Sequence, residues 1–337
     1  MDYTQIFADP EVREEFLDRF EEIRDAVEAG GGLESVGALE GVLDVDRAAD
    51  AVKRMNEGGW EGDDDGLEAI VKQFGRPVYL VQDNTVGGRP DAVDGTPESE
   101  VVAARVQAAR GTLSRVIPSV GRVDLYDHAR TWAGTGWLVA EGLVVTNRHV
   151  AVKFAERRRD GFGFRTISER EVRAEIDWYH EYRRPRRSRF KVTEVVWIEP
   201  DRSIRDVALL RIAPVGEDGE PRPKPVPLAT ADRDLTVGRW VAVIGYPGYD
   251  GRDPQDRERV FDGVYEHKRV APGCLTGVER GRWVHHDATT LLGNSGSAVV
   301  DLATGRALAL HFQGWPGERN FAVRASDVAR LVRQHAS

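Results

Sequence analysis

The sequence predicts a mainly β protein that carries an α-helical extension at its N-terminus. Beyond about residue 116, apolar residues alternate with other residues in many short runs, and glycine or proline turns separate many of these runs. Many short strands with glycine turns are typical of a β-sandwich or a β-barrel. The first third of the chain differs, because its apolar residues recur three and four positions apart, which is the spacing of amphipathic helices.

The N-terminal third is predicted to contain three helices. The clearest covers residues 10–28, where apolar side chains form one stripe on an acidic helix that ends at Gly30-Gly31-Gly32. A second helix is expected near 46–57 and a short one at 66–74. The run Asp63-Asp64-Asp65 lacks the alternating ligand spacing of a calcium-binding loop. A solvated acidic turn is the better interpretation, and the sequence predicts no metal and no cofactor.

A connecting segment follows these helices. A strand is expected at 77–82, an exposed connector at 83–99, rich in glycine and proline, and then a helix from Thr96 to about residue 114. The predicted division of the chain is a helical module over 1–74, a connecting segment over 75–115 and a β domain over 116–337.

The β domain is expected to contain at least nine strands and to end in a helix from Ser326 to His335. Val328, Leu331 and Val332 lie on one side of that helix. The strands are expected at 120–126, 131–140, 143–146, 192–198, 206–212, 239–245, 297–301, 306–312 and 320–324.

Composition and charge indicate the compartment of the protein and argue against a membrane or nucleic-acid partner. The chain has 337 residues and one cysteine, Cys274, so it has no intramolecular disulfide. That fits a reducing compartment, and with no signal peptide visible at the N-terminus we expect a cytoplasmic protein. No apolar run has the length of a membrane span. The formal net charge of −9 argues against a general nucleic-acid partner, and the basic run Arg183–Arg189 is better interpreted as a solvated loop.

The segment Gly293-Asn294-Ser295-Gly296-Ser297 is the most informative in the chain. A serine between glycines on a tight loop can present its hydroxyl to a substrate, while the backbone N–H groups around it point at a developing oxyanion. Runs of Gly, Ser and Asn are also ordinary turns, so the pentapeptide alone leaves both interpretations open.

Two further segments favour a catalytic interpretation. Thr146-Asn147-Arg148-His149-Val150 closes an apolar run, and Asp206-Val207-Ala208-Leu209-Leu210 opens another. A histidine, an aspartate and a serine therefore follow one another at strand ends, at positions 149, 206 and 295. This is one of the chain orders in which Ser-His-Asp triads occur.

Residues 116–335 resemble the trypsin-like (chymotrypsin-fold) serine peptidases in their bacterial, disulfide-free form. The resemblance rests on Gly134-Thr135-Gly136-Trp137-Leu138-Val139 and on the three motifs around His149, Asp206 and Ser295. It implies two six-stranded antiparallel β-barrels, a C-terminal helix, and a serine endopeptidase that acts on a protein or peptide through an acyl-enzyme.

The residue types assign the roles. His149 is the expected general base for the Ser295 hydroxyl, and Asp206 the residue that orients the imidazole. The backbone N–H groups of Gly293 and Ser295 are expected to form the oxyanion hole. Asp201 is the chief rival for the acid, but it sits in a turn. His285 and His286 are weak rivals for the base, since neither carries the surrounding motif.

The resemblance also indicates a pocket for the residue before the cut bond, lined by Thr289, Thr290, His311, Gln313 and Gly314. No aspartate occupies the pocket base at Thr289, so a preference for Lys or Arg is not expected. Thr290 and His311 align with the Thr and His of glutamyl endopeptidases, and a hydroxyl and an imidazole can bind a carboxylate. The alternative is that His311 is only a tolerated strand residue. The N-terminal amine that glutamyl endopeptidases use near this pocket has no counterpart in view.

Two other function classes stay open at this point: an inactive trypsin-like fold used for binding, and a Ser-His-Asp esterase. Residues 1–74 are expected to regulate the peptidase or to recruit a protein partner. Bacterial relatives with helical N-terminal extensions resemble effector parts of conflict or defence systems, which suggests that context for this chain.

Overall fold

The computed structural model describes residues 78–87, 97–249, 260–261, 263–279, 281–314 and 320–335. The helices expected over 10–28, 46–57 and 66–74, the acidic turn between them, and residues 88–96 of the expected connector lie outside this range. Among the described residues, none of the helices combines the length and the apolar character needed to cross a membrane.

The described part begins with a hairpin, β1 (Tyr79–Gln82) and β2 (Thr85–Val86). Asp83 and Asn84 turn it with φ values of 52° and 56°, a left-handed conformation that Asp and Asn tolerate. Two helices follow, α1 (Pro97–Ala108) and α2 (Arg110–Val116), where the sequence predicts one, and then the 3-10 turn Ile117–Ser119.

The first barrel closes in the order β10-β11-β12-β5-β4-β3. Its core is lined by one face of each strand, with Val123, Leu138, Val144 and Leu210 among its fully buried side chains. Two small hairpins, β6–β7 and β8–β9, lie between β5 and β10. The elements are β3 (Val120–Tyr126), β4 (Trp132–Ala140), β5 (Leu143–Thr146), the short helix α3 (Arg148–Ala151), β6 (Ala155–Arg158), β7 (Gly161–Phe164), β8 (Thr166–Ile167), β9 (Arg170–Glu171), β10 (Arg173–Asp177), β11 (Arg189–Ile198) and β12 (Ala208–Ile212).

The second barrel closes through the order β13-β16-β17-β18-β15-β14, because β14 also pairs with β13. β1 adds to β14 beyond the end of β15, with Tyr79 opposite Val270. The elements are the 3-10 turn Asp232–Asp234, β13 (Trp240–Gly245), β14 (Arg269–Val278), β15 (Trp283–His286), β16 (Ala298–Asp301), β17 (Ala307–Gly314), β18 (Asn320–Arg324) and α4 (Ala325–His335).

The two barrels pack against each other through a shared apolar cluster. Trp137 and Val145 of the first barrel and Ile244 and Leu310 of the second belong to this cluster, as do buried side chains of helices α1, α2 and α4. Two six-stranded barrels with a C-terminal helix confirm the predicted mainly β fold class. All nine strands expected in the β domain are present.

The sequence prediction omitted β6 to β10, β14 and β15. Residues 283–286 are all buried, so β15 shows no alternation of apolar and polar residues. In β14, the central Pro272 and Gly273 are residues that ordinarily indicate a turn. Both strands are identified only by their pairing, which is tertiary information.

The basic run Arg183–Arg189 has contacts within the chain. Arg187 pairs with Asp177 at 3.1 Å and Arg189 with Glu217 at 2.8 Å. Arg184 pairs with Asp83 at 2.9 Å, and the Arg186 guanidinium lies over the Tyr179 ring, 4.3 Å from its centroid. These contacts tie the loop to the hairpin β1–β2 and to the first barrel.

Candidate active site

The ends of two neighbouring strands bring His149 and Asp206 together. β5 pairs with β12, with Thr146 opposite Ala208, so the residues just after β5 lie beside those just before β12. Asn147 joins these two segments, because its Nδ2 donates to the backbone oxygen of Asp206 at 2.8 Å. His149 follows in the short helix α3.

Asp206 contacts His149 twice. The His149 backbone N–H donates to Asp206 Oδ1 at 3.1 Å, and His149 Nδ1 lies 2.5 Å from Asp206 Oδ2. Burial opposes ionisation of Asp206, but the charge and hydrogen bonds of His149 outweigh it, so the pKa of Asp206 lies below its usual value. The carboxylate is therefore ionised, and it fixes the imidazole with a proton on Nδ1.

The alternative candidates for the catalytic acid and for the base have other surroundings. Asp201 is exposed in the turn after β11. His285 Nε2 lies 2.6 Å from Glu279 Oε1, and His286 Nε2 lies 3.1 Å from His311 Nδ1. Among the described residues, His149 is thus the histidine held by Asp206.

Arg148 supports the position and the charge of Asp206, a role that the sequence did not predict. Its Nη1 donates to the backbone oxygens of Pro200 at 3.0 Å and Ser203 at 3.3 Å, and its charge adds to the lowering of the Asp206 pKa. It therefore anchors the loop that presents the aspartate. Its position directly before the histidine was the only signal, and arginines next to a motif are too common to assign such a role.

The loop before Ser295 is a tight turn. The Asn294 N–H donates to Leu291 O at 3.1 Å, and Gly293 has φ +87°. A positive φ at the third position defines a type II turn, which favours glycine. A Cβ on Gly293 would lie 2.2 Å from the Trp132 ring, so the position also excludes any larger residue.

A single hydrogen bond orients the peptide between Leu292 and Gly293. The Gly248 N–H donates to Leu292 O at 2.5 Å. In a planar trans peptide the N–H points opposite to the C=O. The Gly293 N–H therefore points away from Gly248.

His149, Gly293 and Ser295 line one open cleft of about 420 Å³. Trp132 and Lys153 form part of its wall from the first barrel, and Tyr249 part of it from the second. His149 Nε2 is buried and has no hydrogen-bond partner among the described residues. No hydrogen bond within the described residues therefore competes for the nitrogen that would take the serine proton. Catalytic hydrogen bonds commonly tighten only when substrate binds.

Of the residues predicted for a specificity pocket, His311 is buried in the second barrel beside His286, which was predicted only as a weak rival for the base. His286 and His311 lie two residues from the barrel-core residues Val284 and Ala309, and therefore on the same inward faces. Burial, with the nearby charge of His149, lowers the pKa of His311 to about 3. Burial and the two neighbouring histidines hold the pKa of His286 well below its usual value. Both imidazoles are neutral at ordinary pH.

The other predicted pocket residues, Thr289, Thr290, Gln313 and Gly314, are all buried. Thr290 Oγ1 donates to Asn320 Oδ1 at 2.7 Å, and Asn320 Nδ2 donates to Ala288 O at 2.7 Å. Gln313 is 1% exposed, and its amide O and N have no hydrogen-bond partner among the described residues.

The profile of the family described as "Trypsin-like peptidase domain" matches residues 134–310, just over half of the chain. This range contains His149, Asp206 and Ser295, and it begins at the glycine of the Gly134-Thr135-Gly136 motif. No curated protein matches the chain significantly.

Two solved structures are among those similar to this chain. The serine endoprotease from Yersinia pestis is 20% identical with a TM-score of 0.45, over 66% of this chain and 64% of that one. Deg5 is 22% identical with a TM-score of 0.46, over 70% of this chain and 94% of Deg5. This chain thus spans less than two thirds of the Yersinia protein, and similarity at this level supports no inference about substrate or assembly. The profile match over residues 134–310 shows that the chain belongs to the family of trypsin-like peptidases.

Proposed function

We propose that this chain is an active serine endopeptidase that uses His149, Asp206 and Ser295 as its catalytic residues. The observation that carries the proposal is that two hydrogen bonds join His149 to Asp206, and that His149 lines the cleft that Ser295 and Gly293 also line. In the first step the Ser295 hydroxyl attacks the substrate carbonyl while His149 Nε2 takes its proton. Asp206 keeps the other imidazole proton on Nδ1 and stabilises the imidazolium that forms.

The later steps follow from the same groups. The N–H groups of Gly293 and Ser295 stabilise the oxyanion of the tetrahedral intermediate. His149 then returns its proton to the leaving amine, which leaves an acyl-enzyme on Ser295. Water then attacks the acyl carbon as His149 takes its proton, the ester bond to Ser295 Oγ breaks, and His149 returns the proton to Ser295 Oγ as the acid product leaves.

The first experiment asks whether Ser295 is activated. A fluorophosphonate probe should label the full chain at Ser295, and Ser295→Ala and His149→Ala should each abolish labelling and peptide hydrolysis. Asp206→Asn should lower kcat by roughly 10⁴-fold through the wrong imidazole tautomer, whereas Asp201→Asn should leave it unchanged. A wild-type chain that neither labels nor hydrolyses peptides would support the inactive binding fold. Labelling with hydrolysis of esters but not peptides would support the esterase.

We further propose that the pocket accepts Glu or Asp before the cut bond. His286 and His311 share one proton in their 3.1 Å hydrogen bond. If His286 Nε2 donates to His311 Nδ1, the unpartnered His286 Nδ1 is a buried acceptor. With the reverse direction it would be a buried N–H donor, which proteins avoid more strongly. The first arrangement leaves His311 with its N–H on Nε2, a donor suited to a carboxylate oxygen.

A peptide library tests this preference. Matched peptides with Glu, Gln, Lys or Phe before the cut should be hydrolysed in an order headed by Glu, and His311→Phe should remove the advantage of Glu over Gln. Efficient cleavage after Lys or a bulky aromatic residue would contradict an acidic pocket without affecting the catalytic roles.

The N-terminal module is proposed to regulate the peptidase or to recruit a partner to it, in the setting of a bacterial defence or conflict system. The support is that residues 1–74 fall outside the matched range 134–310 and carry predicted amphipathic helices. Small helical segments bury too little surface to be stable alone, so they are expected to pack on the barrels or on a partner.

A further inference from the structure

Thr135 connects the first barrel to the nucleophile loop of the second. It is fully buried on β4, and its backbone N–H donates to Ser295 O at 2.9 Å. Its Oγ1 donates to Gly293 O at 2.9 Å and accepts from the Tyr246 N–H at 3.2 Å. Its own carbonyl accepts from Thr146 Oγ1 at 2.7 Å. Three of these four bonds cross between the barrels.

The two carbonyls that Thr135 binds belong to the residues whose N–H groups form the proposed oxyanion hole. Each peptide unit is planar, so a hydrogen bond to its oxygen fixes the orientation of the whole unit. Thr135 fixes the units that follow Gly293 and Ser295, and Gly248 fixes the unit before Gly293. The peptide that carries the Ser295 N–H is therefore held on both sides.

Close packing transmits the position of Thr135 to the loop. A Cβ on Gly296 would lie 1.9 Å from Thr135 O, and one on Gly293 would lie 2.5 Å from Tyr246 O. The loop thus lies directly on β4 and on the residue after β13, with no space for a different path. Its φ of +89° at Gly296 is a conformation that glycine alone adopts at no cost.

We propose that Thr135 is a positioning residue for the oxyanion hole: its hydroxyl holds the peptide that follows Gly293 and so aims the Ser295 N–H, beside the Gly293 N–H that Gly248 orients. This inference rests on the proposed serine peptidase activity. Donors accelerate acyl transfer when they already lie at hydrogen-bond distance from the developing oxyanion and need no reorganisation. A loop that loses the Thr135 hydroxyl keeps its nucleophile but must be ordered at each turnover.

The test compares Thr135→Val, which keeps the shape but removes the hydroxyl, with Thr135→Ser, which keeps the hydroxyl. For each chain we would measure the rate of fluorophosphonate labelling, kcat and KM on the best wild-type peptide, and the melting temperature. Ser119→Ala is the matched control, because Ser119 Oγ is also buried and donates to a backbone oxygen, Lys224 O, at 2.6 Å.

We expect Thr135→Val to lower kcat and the labelling rate by about 10-fold to 100-fold, below the 10²–10³-fold typical of removing a donor outright. KM should stay within about twofold. Thr135→Ser should recover most of the loss, and Ser119→Ala should lower the melting temperature without lowering kcat. In Thr135→Val, the affinity for a peptide boronic acid should fall in parallel with kcat, while the affinity for the carboxylic acid product should stay unchanged.

Two outcomes would overturn this role and can be told apart. If wild type reacts and folded Thr135→Val reacts equally fast, or loses activity only in proportion to its unfolded fraction, Thr135 is structural and the proposed activity stands. If wild type reacts with neither the probe nor any peptide, the proposed activity fails and this role fails with it.

Discussion

Gly293 shows how strongly a single residue is constrained at the site. Its φ of +87° and its contact with the Trp132 ring arise from different causes, one from the backbone and the other from packing. The sequence predicted a glycine that serves the oxyanion hole. It did not indicate that an indole from the other barrel closes the space beside it.

Gly293→Ala should therefore lower kcat by about 100-fold or more, because the added Cβ must displace the turn that presents the N–H. Gly219→Ala is a control with the same backbone cost, since Gly219 has φ +80° and no atom within 4 Å of an added Cβ. That control should lose some thermal stability and keep its kcat. Equal kcat losses in both variants would contradict the steric argument.

At the scale of the element, β15 and β17 place two neutral histidines inside the second barrel. Unfolding exposes both to water, where an imidazole has a pKa of about 6.5. The folded chain binds their protons only at much lower pH, since the pKa of His311 is about 3 and that of His286 is well below normal. Their stabilising contribution is present above pH 6.5 and is lost as the pH falls towards 3.

The free energy of unfolding should therefore fall less steeply with acid in His311→Gln than in wild type, by up to about 1.4 kcal/mol per pH unit between pH 6 and pH 4. Burial raises the pKa of Asp124 to about 6, which gives a contribution of the opposite sign in this range. Both chains contain Asp124, so its contribution cancels when the free energies of unfolding of the two chains are subtracted. Urea unfolding at several pH values is the measurement, and parallel curves would contradict a neutral buried His311.

At the scale of the whole molecule, the described N-terminal residues belong structurally to the peptidase. β1 extends β14, and Val102, Val106 and Leu113 of α1 and α2 pack into the cluster shared by the barrels. A shortened chain should therefore begin near residue 75, because a start near Gly111 would remove β1 and α1.

Removal of residues 1–74 is expected to change peptide turnover or to abolish capture of a protein partner, while the barrels stay folded. The structure places residues 83–87 of the expected connector in the hairpin β1–β2 and residues 97–99 in α1, which leaves residues 88–96 with Asp91 and Asp94 as the segment that an enzyme with a preference for acidic residues is expected to cut in trans. The assays are turnover of one peptide by both chains, and mass spectrometry of the full chain after long incubation. Identical rates, no captured partner and an intact connector would leave the module without the proposed role.

The sequence by itself determined the fold class and most strands of the β domain, and it singled out His149, Asp206 and Ser295 as the candidate catalytic residues. These are local signals: alternation of apolar residues reports a half-buried strand, and a chemical group at a strand end reports a site. It did not determine β15, which is buried on both faces, or β14, whose Pro272 and Gly273 ordinarily indicate a turn, and it left Asp201 as a rival to Asp206.

Only the tertiary structure decided how residues far apart in the chain meet. Pairing of β5 with β12 brought Asp206 to His149, and packing of the two barrels brought Thr135 and Trp132 onto the loop before Ser295. Arg148 and His286 acquired their contacts in the same way. The physical reason is that hydrogen bonds and steric contacts act over a few ångströms in space, whereas a sequence pattern reports only neighbours along the chain.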